Sequence, residues 1–211
     1  MTSTLPAGRF DDALRGMPSA LAHDDGSRTL LPVDRWHAPP DVADEVLLLR
    51  GCTGPTVDVG CGPGRLAAAL SARGVMALGV DSSPLAVALT RGRGAVALHR
   101  DVHDRLPGER RWSHVLLADG NIGIGGDPVR LLRRAGELLR RDGTVLAELE
   151  PSTSGVRYGS ARLLRGDDAG PWFPWCRVGP DAVATIADRA GLRLLHVSHH
   201  SERCAAVLQQ R

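Results

Sequence analysis

The 211-residue sequence predicts an α/β fold, a three-layer sandwich built on a mostly parallel seven-stranded sheet. Strand-like and helix-like segments alternate from residue 56 onwards, as they do when helices cover both faces of a parallel sheet. A glycine-rich turn directly follows the first of these strands. Only about four residues separate the last two strands, so the last strand must run antiparallel to its neighbour.

The predicted elements follow one another regularly. Strands are expected at Thr56–Gly60, Val75–Asp81, Ala95–Asp101, His114–Asp119, Thr144–Glu150, Leu192–His199 and Cys204–Gln209. Helices are expected at Gly64–Arg73, Pro84–Arg91, Pro128–Arg141 and Asp181–Ala190, after a first helix that is capped by Asp41 and ends at Gly51. Pro63 and Pro84 suit the first turn of a helix, because the N–H that proline lacks would have no partner there.

Two segments stand outside this alternation. Residues 1–35 lack sustained periodicity, and their first part is expected to be loosely packed. Residues 1–40 are expected to form an N-terminal cap segment before the main domain, residues 41–211. The connection 151–180 is far longer than the usual ~4–6 residues. Three of the seven aromatic residues of the chain fall at positions 172–175 within it. Because long insertions at this edge of an α/β sheet cover ligand crevices, we expect 151–180 to be a substrate lid.

The composition excludes several classes of function. A net charge of +2 gives no basis for binding nucleic acid, and no stretch approaches the ~18–20 apolar residues of a membrane span. The N-terminus shows no signal-peptide pattern, and the four cysteines have neither disulfide nor zinc spacing. A reduced, cytoplasmic protein without a metal is therefore expected. All 26 basic residues are arginine, which excludes Schiff-base chemistry on lysine.

The glycine turn at 57–65 reads Val-Asp-Val-Gly-Cys-Gly-Pro-Gly-Arg. It places free backbone N–H groups and the positive end of a helix dipole beside the loop. The dinucleotide fingerprint G-x-G-x-x-G would need glycine at position 65, where this chain has Arg65. The pattern D-x-G-x-G-x-G instead resembles motif I of the class I S-adenosylmethionine-dependent methyltransferases, which have a Rossmann-like fold. An ordinary connection between strand and helix is the alternative.

The resemblance extends to the following strands. It implies that Asp81 accepts hydrogen bonds from the ribose of S-adenosylmethionine, that Asp101 and Val102 bind the adenine, and that Asp119 holds the amino group. Helix capping is the alternative for Asp81, and a solvated turn is the alternative for Asp101. The expected cofactor-binding residues are Trp36, Asp58, Gly60, Cys61, Gly62, Gly64, Asp81, Ser82, Asp101, Val102, Asp119 and Gly120. The sequence does not decide whether Trp36 packs on the cofactor or in the core. It also does not decide whether Arg65 faces the cofactor or solvent.

Candidates for the transfer step and for the acceptor are fewer. His37 is the candidate for a base in the pocket, because imidazole titrates near neutral pH. Asn121 is the candidate to face the acceptor. Trp172, Trp175 and Arg177 of the lid are expected to contact the substrate.

These features predict an enzyme that transfers a methyl group from S-adenosylmethionine to a small molecule by direct in-line displacement, with no nucleic-acid or membrane partner. Such a reaction needs mainly alignment of the acceptor. A catalytically silent S-adenosylmethionine-binding protein, acting as a sensor or assembly partner, is the alternative, and aminopropyl transfer on the same fold is another. A short-chain oxidoreductase usually needs a Tyr-x-x-x-Lys pair, which a chain without lysine cannot supply. The acceptor, its target atom and the oligomeric state are not predicted.

Overall fold

The computed structural model describes residues 8–166 and 168–211. Its strands are β1 (Ala20–His23), β2 (Arg28–Leu30), β3 (Thr56–Val59), β4 (Ala77–Asp81), β5 (Val96–His99), β6 (Trp112–Leu117), β7 (Leu139–Leu149), β8 (Val156–Arg165), β9 (Asp168–Ala169), β10 (Phe173–Val178), β11 (Leu192–His200) and β12 (Arg203–Gln210). Its helices are α1 (Asp11–Leu14), α2 (Val33–His37), α3 (Val42–Asp44), α4 (Arg65–Ala72), α5 (Pro84–Gly92), α6 (Pro128–Leu138) and α7 (Val183–Arg189). A π-helical turn (Glu45–Leu49) continues α3, and a 3-10 helix (Asn121–Gly123) follows β6.

Seven strands form the central sheet, in the order β11-β12-β7-β6-β3-β4-β5. β12 pairs antiparallel with both of its neighbours, β7 and β11, and the other neighbouring pairs are parallel. The predicted α/β sandwich with a mostly parallel seven-stranded sheet and an antiparallel last strand is therefore confirmed.

The middle strands are buried on both faces, which explains their nearly continuous apolar sequence. On β6, Val115 and Leu117 pack into the same cluster as Leu131 of α6. Leu116 points to the other face, into the cluster that contains Leu70 of α4. The alternation of side chains along a strand thus distributes one short apolar run between two helical layers.

A second sheet joins two segments that are distant in the sequence. β1 pairs antiparallel with β2 and β8, and β8 also pairs antiparallel with β9 and β10. We call these five strands the roof sheet. Leu21 of β1 packs with Ala161 and Phe173 in its small core. Residues 20–30 are therefore held in place, because the 151–180 insertion supplies partners for the backbone groups of β1. Residues 1–7 of the predicted cap segment lie outside the described residues.

The boundary between α6 and β7 differs from the prediction. The helix ends at Leu138 instead of Arg141, and β7 begins at Leu139 instead of Thr144. Leu139 is buried and pairs with Trp112 at the start of β6, so cross-strand pairing replaces the last helical turn. No helix within the described ranges has the length and apolar character needed to cross a membrane.

Candidate active site

The turn between β3 and α4 depends on three glycines in the left-handed region. Gly60, Gly62 and Gly64 have φ values of 68°, 52° and 82°, which strain any residue with a side chain. A Cβ atom on Gly60 would lie 2.6 Å from the amide nitrogen of Asn121, and one on Gly64 would lie 2.6 Å from Thr90. The loop is therefore packed closely on one side, while Gly60 and Gly62 line a cavity on the other.

The side chain of Asn121 fixes this turn. Its Nδ2 donates to the carbonyl oxygens of Val59, at 2.9 Å, and Gly60, at 3.0 Å. Both amide hydrogens are used in these two bonds. Asn121 thereby ties the segment that follows β6 to the end of β3.

Asp81, at the end of β4, lines the same cavity and is held by the backbone. Its Oδ2 accepts from the N–H of Gly62 at 3.0 Å, and its Oδ1 accepts from the N–H of Ser83 at 2.8 Å. Burial raises the pKa of Asp81, against the lowering effect of these N–H groups. Each carboxylate oxygen keeps a free lone pair, so Asp81 can still accept hydrogen bonds from a ligand.

Four carboxylates line one side of the cavity: Asp58, Asp81, Asp101 and Asp119. They lie within or just beyond the carboxyl ends of β3, β4, β5 and β6, which are adjacent in the sheet and together span roughly 14 Å. Asp58 is only 2% exposed, and burial, aided by the carboxylate of Asp119, raises its pKa to about 7. We call these four residues the acidic wall. Asp81 and Asp101, which have no ion-pair partner among the described residues, favour a cationic ligand over a diphosphate.

Asp119 connects the acidic wall to a buried set of ion pairs. Its Oδ2 accepts from Nη2 of Arg65 at 3.1 Å, and its Oδ1 pairs with Arg35. Arg65 also pairs with Asp44, whose side chain has no exposed surface. The backbone at Asp119 has a φ of 53°, so the residue adopts the left-handed conformation to make these contacts.

The set closes into a ring through β7 and β12. Arg203 donates from Nη2 to Oδ1 of Asp44 at 2.9 Å and from Nε to Oε1 of Glu148 at 2.6 Å. Oε2 of Glu148 then accepts from the backbone N–H of Asp119 at 2.8 Å. We call this closed circuit the charge ring, with members Asp119, Arg65, Asp44, Arg203 and Glu148. It links α3, α4, β7 and β12 to the segment that follows β6.

A second part of the cavity lining comes from the N-terminal segment and the roof sheet. We call this part the apolar wall, and it is formed by Phe10, Leu14, Leu21, Leu31, Trp36 and Trp175. Arg9 also lines the cavity. Among the described residues that the N-terminal segment and the roof sheet contribute to the lining, it is the one with a charged side chain. The carbon Cζ of Arg9 lies 4.6 Å from the ring centroid of Phe173, and its Nη1 donates to the carbonyl of Pro171 at 2.5 Å.

Several solved structures with this fold are methyltransferases. A methyltransferase from Bacteroides fragilis, crystallised with S-adenosylhomocysteine, is 23% identical with a TM-score of 0.78, and the alignment covers 98% of this chain and 97% of that one. CcbJ from Streptomyces caelestis is 19% identical with a TM-score of 0.62, over 83% of this chain and 92% of that one. The 1,6-didemethyltoxoflavin-N1-methyltransferase from Burkholderia thailandensis is 17% identical with a TM-score of 0.60, over 80% and 77%. A search of curated protein sequences finds no match.

Residues 56–143 match the family model described as a methyltransferase domain. The matched segment contains the glycine turn and all four carboxylates of the acidic wall. Residues 56–143 therefore form a methyltransferase domain, in a chain with the class I methyltransferase fold. The resemblance predicted from the sequence is confirmed, and so is the prediction of an enzyme of the transferase class.

The methyltransferase cavity brings together ten of the twelve predicted cofactor-binding residues. They are Trp36, Asp58, Gly60, Cys61, Gly62, Asp81, Ser82, Asp101, Val102 and Asp119. Gly64 and Gly120 lie outside the lining, although both have positive φ and shape the loops that carry it.

Of the predicted catalytic and substrate-binding residues, some line the methyltransferase cavity and others lie outside it. His37 is exposed and lies outside the cavity lining, because it follows Trp36 on the outer side of the short helix α2. Asn121 lines the cavity, but its amide hydrogens are used by the glycine turn. In the lid, Trp175 lines the cavity, whereas Trp172 is 46% exposed under the guanidinium of Arg162. Arg177 points away and pairs with Asp25.

Sequence reasoning missed several groups of this methyltransferase site. Arg9 and Phe10 lie in the segment expected to be loosely packed, and they reach the cavity because the roof sheet holds that segment. Glu148 and Arg203 join the charge ring from strands that are 55 residues apart. No local pattern marks these residues, since each acquires its role from a partner distant in the chain.

Proposed function

We propose that this enzyme binds S-adenosylmethionine along the acidic wall and transfers its methyl group to a small molecule held against the apolar wall. One observation carries the proposal: carboxylates from four adjacent strand ends and an apolar wall line a single cavity. S-adenosylmethionine is the cofactor, and it presents a sulfonium, an ammonium and a ribose diol, which all suit carboxylates. The solved relatives crystallised with S-adenosylhomocysteine or S-adenosylmethionine support this assignment.

The residues of the cavity match the parts of the cofactor in order along the sheet. Asp81 accepts from the ribose hydroxyls, and its two backbone partners keep the carboxylate oriented toward them. Asp101 and the backbone of Val102, beyond β5, bind the adenine. Asp58 and Asp119 lie at the other end, where they hold the ammonium group.

The protein's contribution to the reaction is alignment. When bound, the cofactor supplies a methyl group that is already electrophilic, because it is attached to a sulfonium. The apolar wall excludes water and positions the acceptor for in-line displacement, which is the main requirement of such a step. A base is needed only for an acceptor that arrives protonated.

The acceptor is a small molecule. This is supported by relatives that act on 1,6-didemethyltoxoflavin and on a sugar, according to their descriptions. The four cysteines are free and buried, which fits the reducing cytoplasm that we propose as the location. The net charge of +2 supports no nucleic-acid partner.

Calorimetry with S-adenosylmethionine, S-adenosylhomocysteine, NAD and NADP tests the cofactor assignment. We expect the first two to bind and the dinucleotides not to bind. Asp81→Ala should weaken S-adenosylhomocysteine binding by about tenfold or more, because hydrogen bonds to a charged acceptor are lost. Asp188→Ala, on the exposed face of α7, is the matched control and should bind as the wild type does. Preference for a dinucleotide, or full affinity in Asp81→Ala, would refute the proposal.

A further inference from the structure

The acceptor side of the cavity contains an unusual guanidinium. Arg9 lines the cavity together with the side chains of the apolar wall, and it comes from the N-terminal segment, whereas the four carboxylates come from the strand ends. Basic residues elsewhere in the lining have other positions: Arg65 belongs to the charge ring, while Arg100 and His103 flank Asp101 beyond β5, at the adenine end. Arg9 is thus the charged group that an acceptor under the roof sheet meets.

Arg9 is held in place, but one of its donors is unused. Stacking on Phe173 and the bond to the carbonyl of Pro171 fix the guanidinium against the roof sheet. Its Nε is buried and has no hydrogen-bond partner among the residues that the structure describes. Because Nε has almost no accessible surface, a ligand can reach only the outer nitrogens of the guanidinium, where a charged acceptor atom binds best. A guanidinium presents its donors in a planar fork that matches the two oxygens of a carboxylate.

The rest of this compartment suits a ring. Phe10, Trp36 and Trp175 supply aromatic surface, and Leu21 and Leu31 add aliphatic surface. Flat apolar molecules pack well against such rings. Arg9 brings a positive charge to this apolar compartment, so the lining favours a ring that also carries a negative group.

We propose that the methyl acceptor is a compact ring compound with a carboxylate, and that Arg9 is the specificity-determining residue that binds this carboxylate. The inference rests on the proposed function, since it assigns the second substrate of the same cavity. The charge distribution also orients the molecule. Its carboxylate points to Arg9 and away from the acidic wall, so the opposite end of the ring, with the atom to be methylated, faces the cofactor.

Ligand binding in the presence of saturating S-adenosylhomocysteine tests the proposal. The probes are 4-hydroxybenzoate and its uncharged analogue 4-hydroxybenzamide, with affinities measured by ligand-observed NMR titration. The wild type should prefer the carboxylate by about tenfold or more, as expected for a hydrogen-bonded charge pair. Arg9→Gln should lose this preference, and Arg9→Lys should keep part of it, because lysine retains the charge without the planar fork.

Arg28→Gln is the matched control, because Arg28 is an exposed arginine on β2 of the same sheet and lies outside the cavity lining. It should keep the wild-type preference. Equal binding of the two probes by the wild type, no binding of the carboxylate, or an unchanged preference in Arg9→Gln would overturn the proposal. Affinity for S-adenosylhomocysteine is measured on the same samples. It should stay constant across these variants, and its absence from the wild type would instead contradict the proposed function.

Discussion

Nη2 of Arg65 lies 3.1 Å from Oδ2 of Asp119, so the first residue of α4 is joined directly to the acidic wall of the cavity. The Arg65 side chain is only 4% exposed, and its other partner, Asp44, is completely buried. Burial lowers the pKa of Arg65 while Asp119 raises it, and the guanidinium remains charged. The sequence did not decide whether Arg65 faces the cofactor or solvent. In the structure it connects the buried core at Asp44 to the cofactor side of the cavity at Asp119.

Replacing Arg65 should strongly destabilise the protein. Arg65→Met leaves the carboxylate of Asp44 buried with one partner fewer and releases one oxygen of Asp119. Removing one member of a buried ion pair typically costs about 3–5 kcal/mol, because the remaining charge is left without compensation. Urea denaturation followed by circular dichroism measures the loss.

Arg73 offers a matched control at the other end of α4. It pairs with Glu45 at the surface and is 43% exposed. Arg73→Met should change the free energy of unfolding by less than about 1 kcal/mol, as for most exposed pairs. Similar losses for Arg65→Met and Arg73→Met would show that the charge ring adds nothing beyond an ordinary surface pair.

The ionisation of Asp58 should make stability depend on pH. Burial raises the pKa of Asp58 from 3.8 to about 7, so the folded protein binds this proton more tightly than the unfolded chain does. The contribution of Asp58 to stability is therefore favourable at low pH and falls as pH rises from about 4 to 7. Asp58→Asn removes this dependence. We expect the free energy of unfolding of the variant, measured by urea denaturation, to exceed that of the wild type by about 2–4 kcal/mol at pH 8 and by less at pH 5.

The ionised form of Asp58, which lowers stability, should increase the affinity for the cofactor. A cationic ligand favours the ionised form of Asp58, so wild-type affinity for S-adenosylmethionine should increase between pH 5.5 and 7. Asp58→Asn should bind more weakly at pH 7 and show a flatter profile over this range. Calorimetry at four pH values measures both effects. The same pH dependence of affinity in the wild type and in Asp58→Asn would show that Asp58 does not interact with the ligand.

The parts of this molecule that the sequence predicted are those encoded locally. The alternation of Val57 and Val59 with polar neighbours, and the three glycines that follow, lie within one short segment. Strand ends place Asp81 and Asp101 at one edge of the sheet whatever the rest of the chain does. The central sheet and the four carboxylates of the cavity could therefore be predicted from short segments of the sequence.

The roof sheet and the charge ring could not be predicted, because both depend on contacts between distant segments. Ala20 and Leu164 pair across the roof sheet although they are 144 positions apart in the sequence. Neither segment has a strong strand pattern alone, and each becomes ordered through the other. The position of His37 outside the cavity lining has the same origin. Whether Trp36 or His37 faces the cavity depends on how α2 packs under the roof sheet, which the local sequence does not encode.

Asn121 should act on cofactor binding by positioning the glycine turn. Asn121→Ala removes two hydrogen bonds to the carbonyls of Val59 and Gly60, each worth about 1 kcal/mol. We expect S-adenosylhomocysteine to bind about tenfold more weakly, with the folded structure retained in circular dichroism. Gly60→Ala should give a larger loss, because its Cβ would meet the Asn121 amide at 2.6 Å and its φ is positive. Unchanged affinity in Asn121→Ala would assign the residue to the acceptor instead.

The two tryptophans of the lid should behave differently, although they are only three positions apart. Trp175 lines the cavity and contacts Phe173 edge to face at a centroid distance of 6.0 Å, whereas Trp172 stacks under Arg162 outside the lining. Trp175→Ala should therefore weaken binding of 4-hydroxybenzoate about fivefold or more in the presence of S-adenosylhomocysteine, since aromatic surface beside the acceptor is lost. Trp172→Ala should leave that affinity unchanged and lower stability by about 1 kcal/mol or less, the usual range for an exposed cation–π contact. NMR titration of both variants measures these affinities. An equal loss of affinity in Trp172→Ala and Trp175→Ala would mean that both tryptophans affect binding only by stabilising the roof sheet.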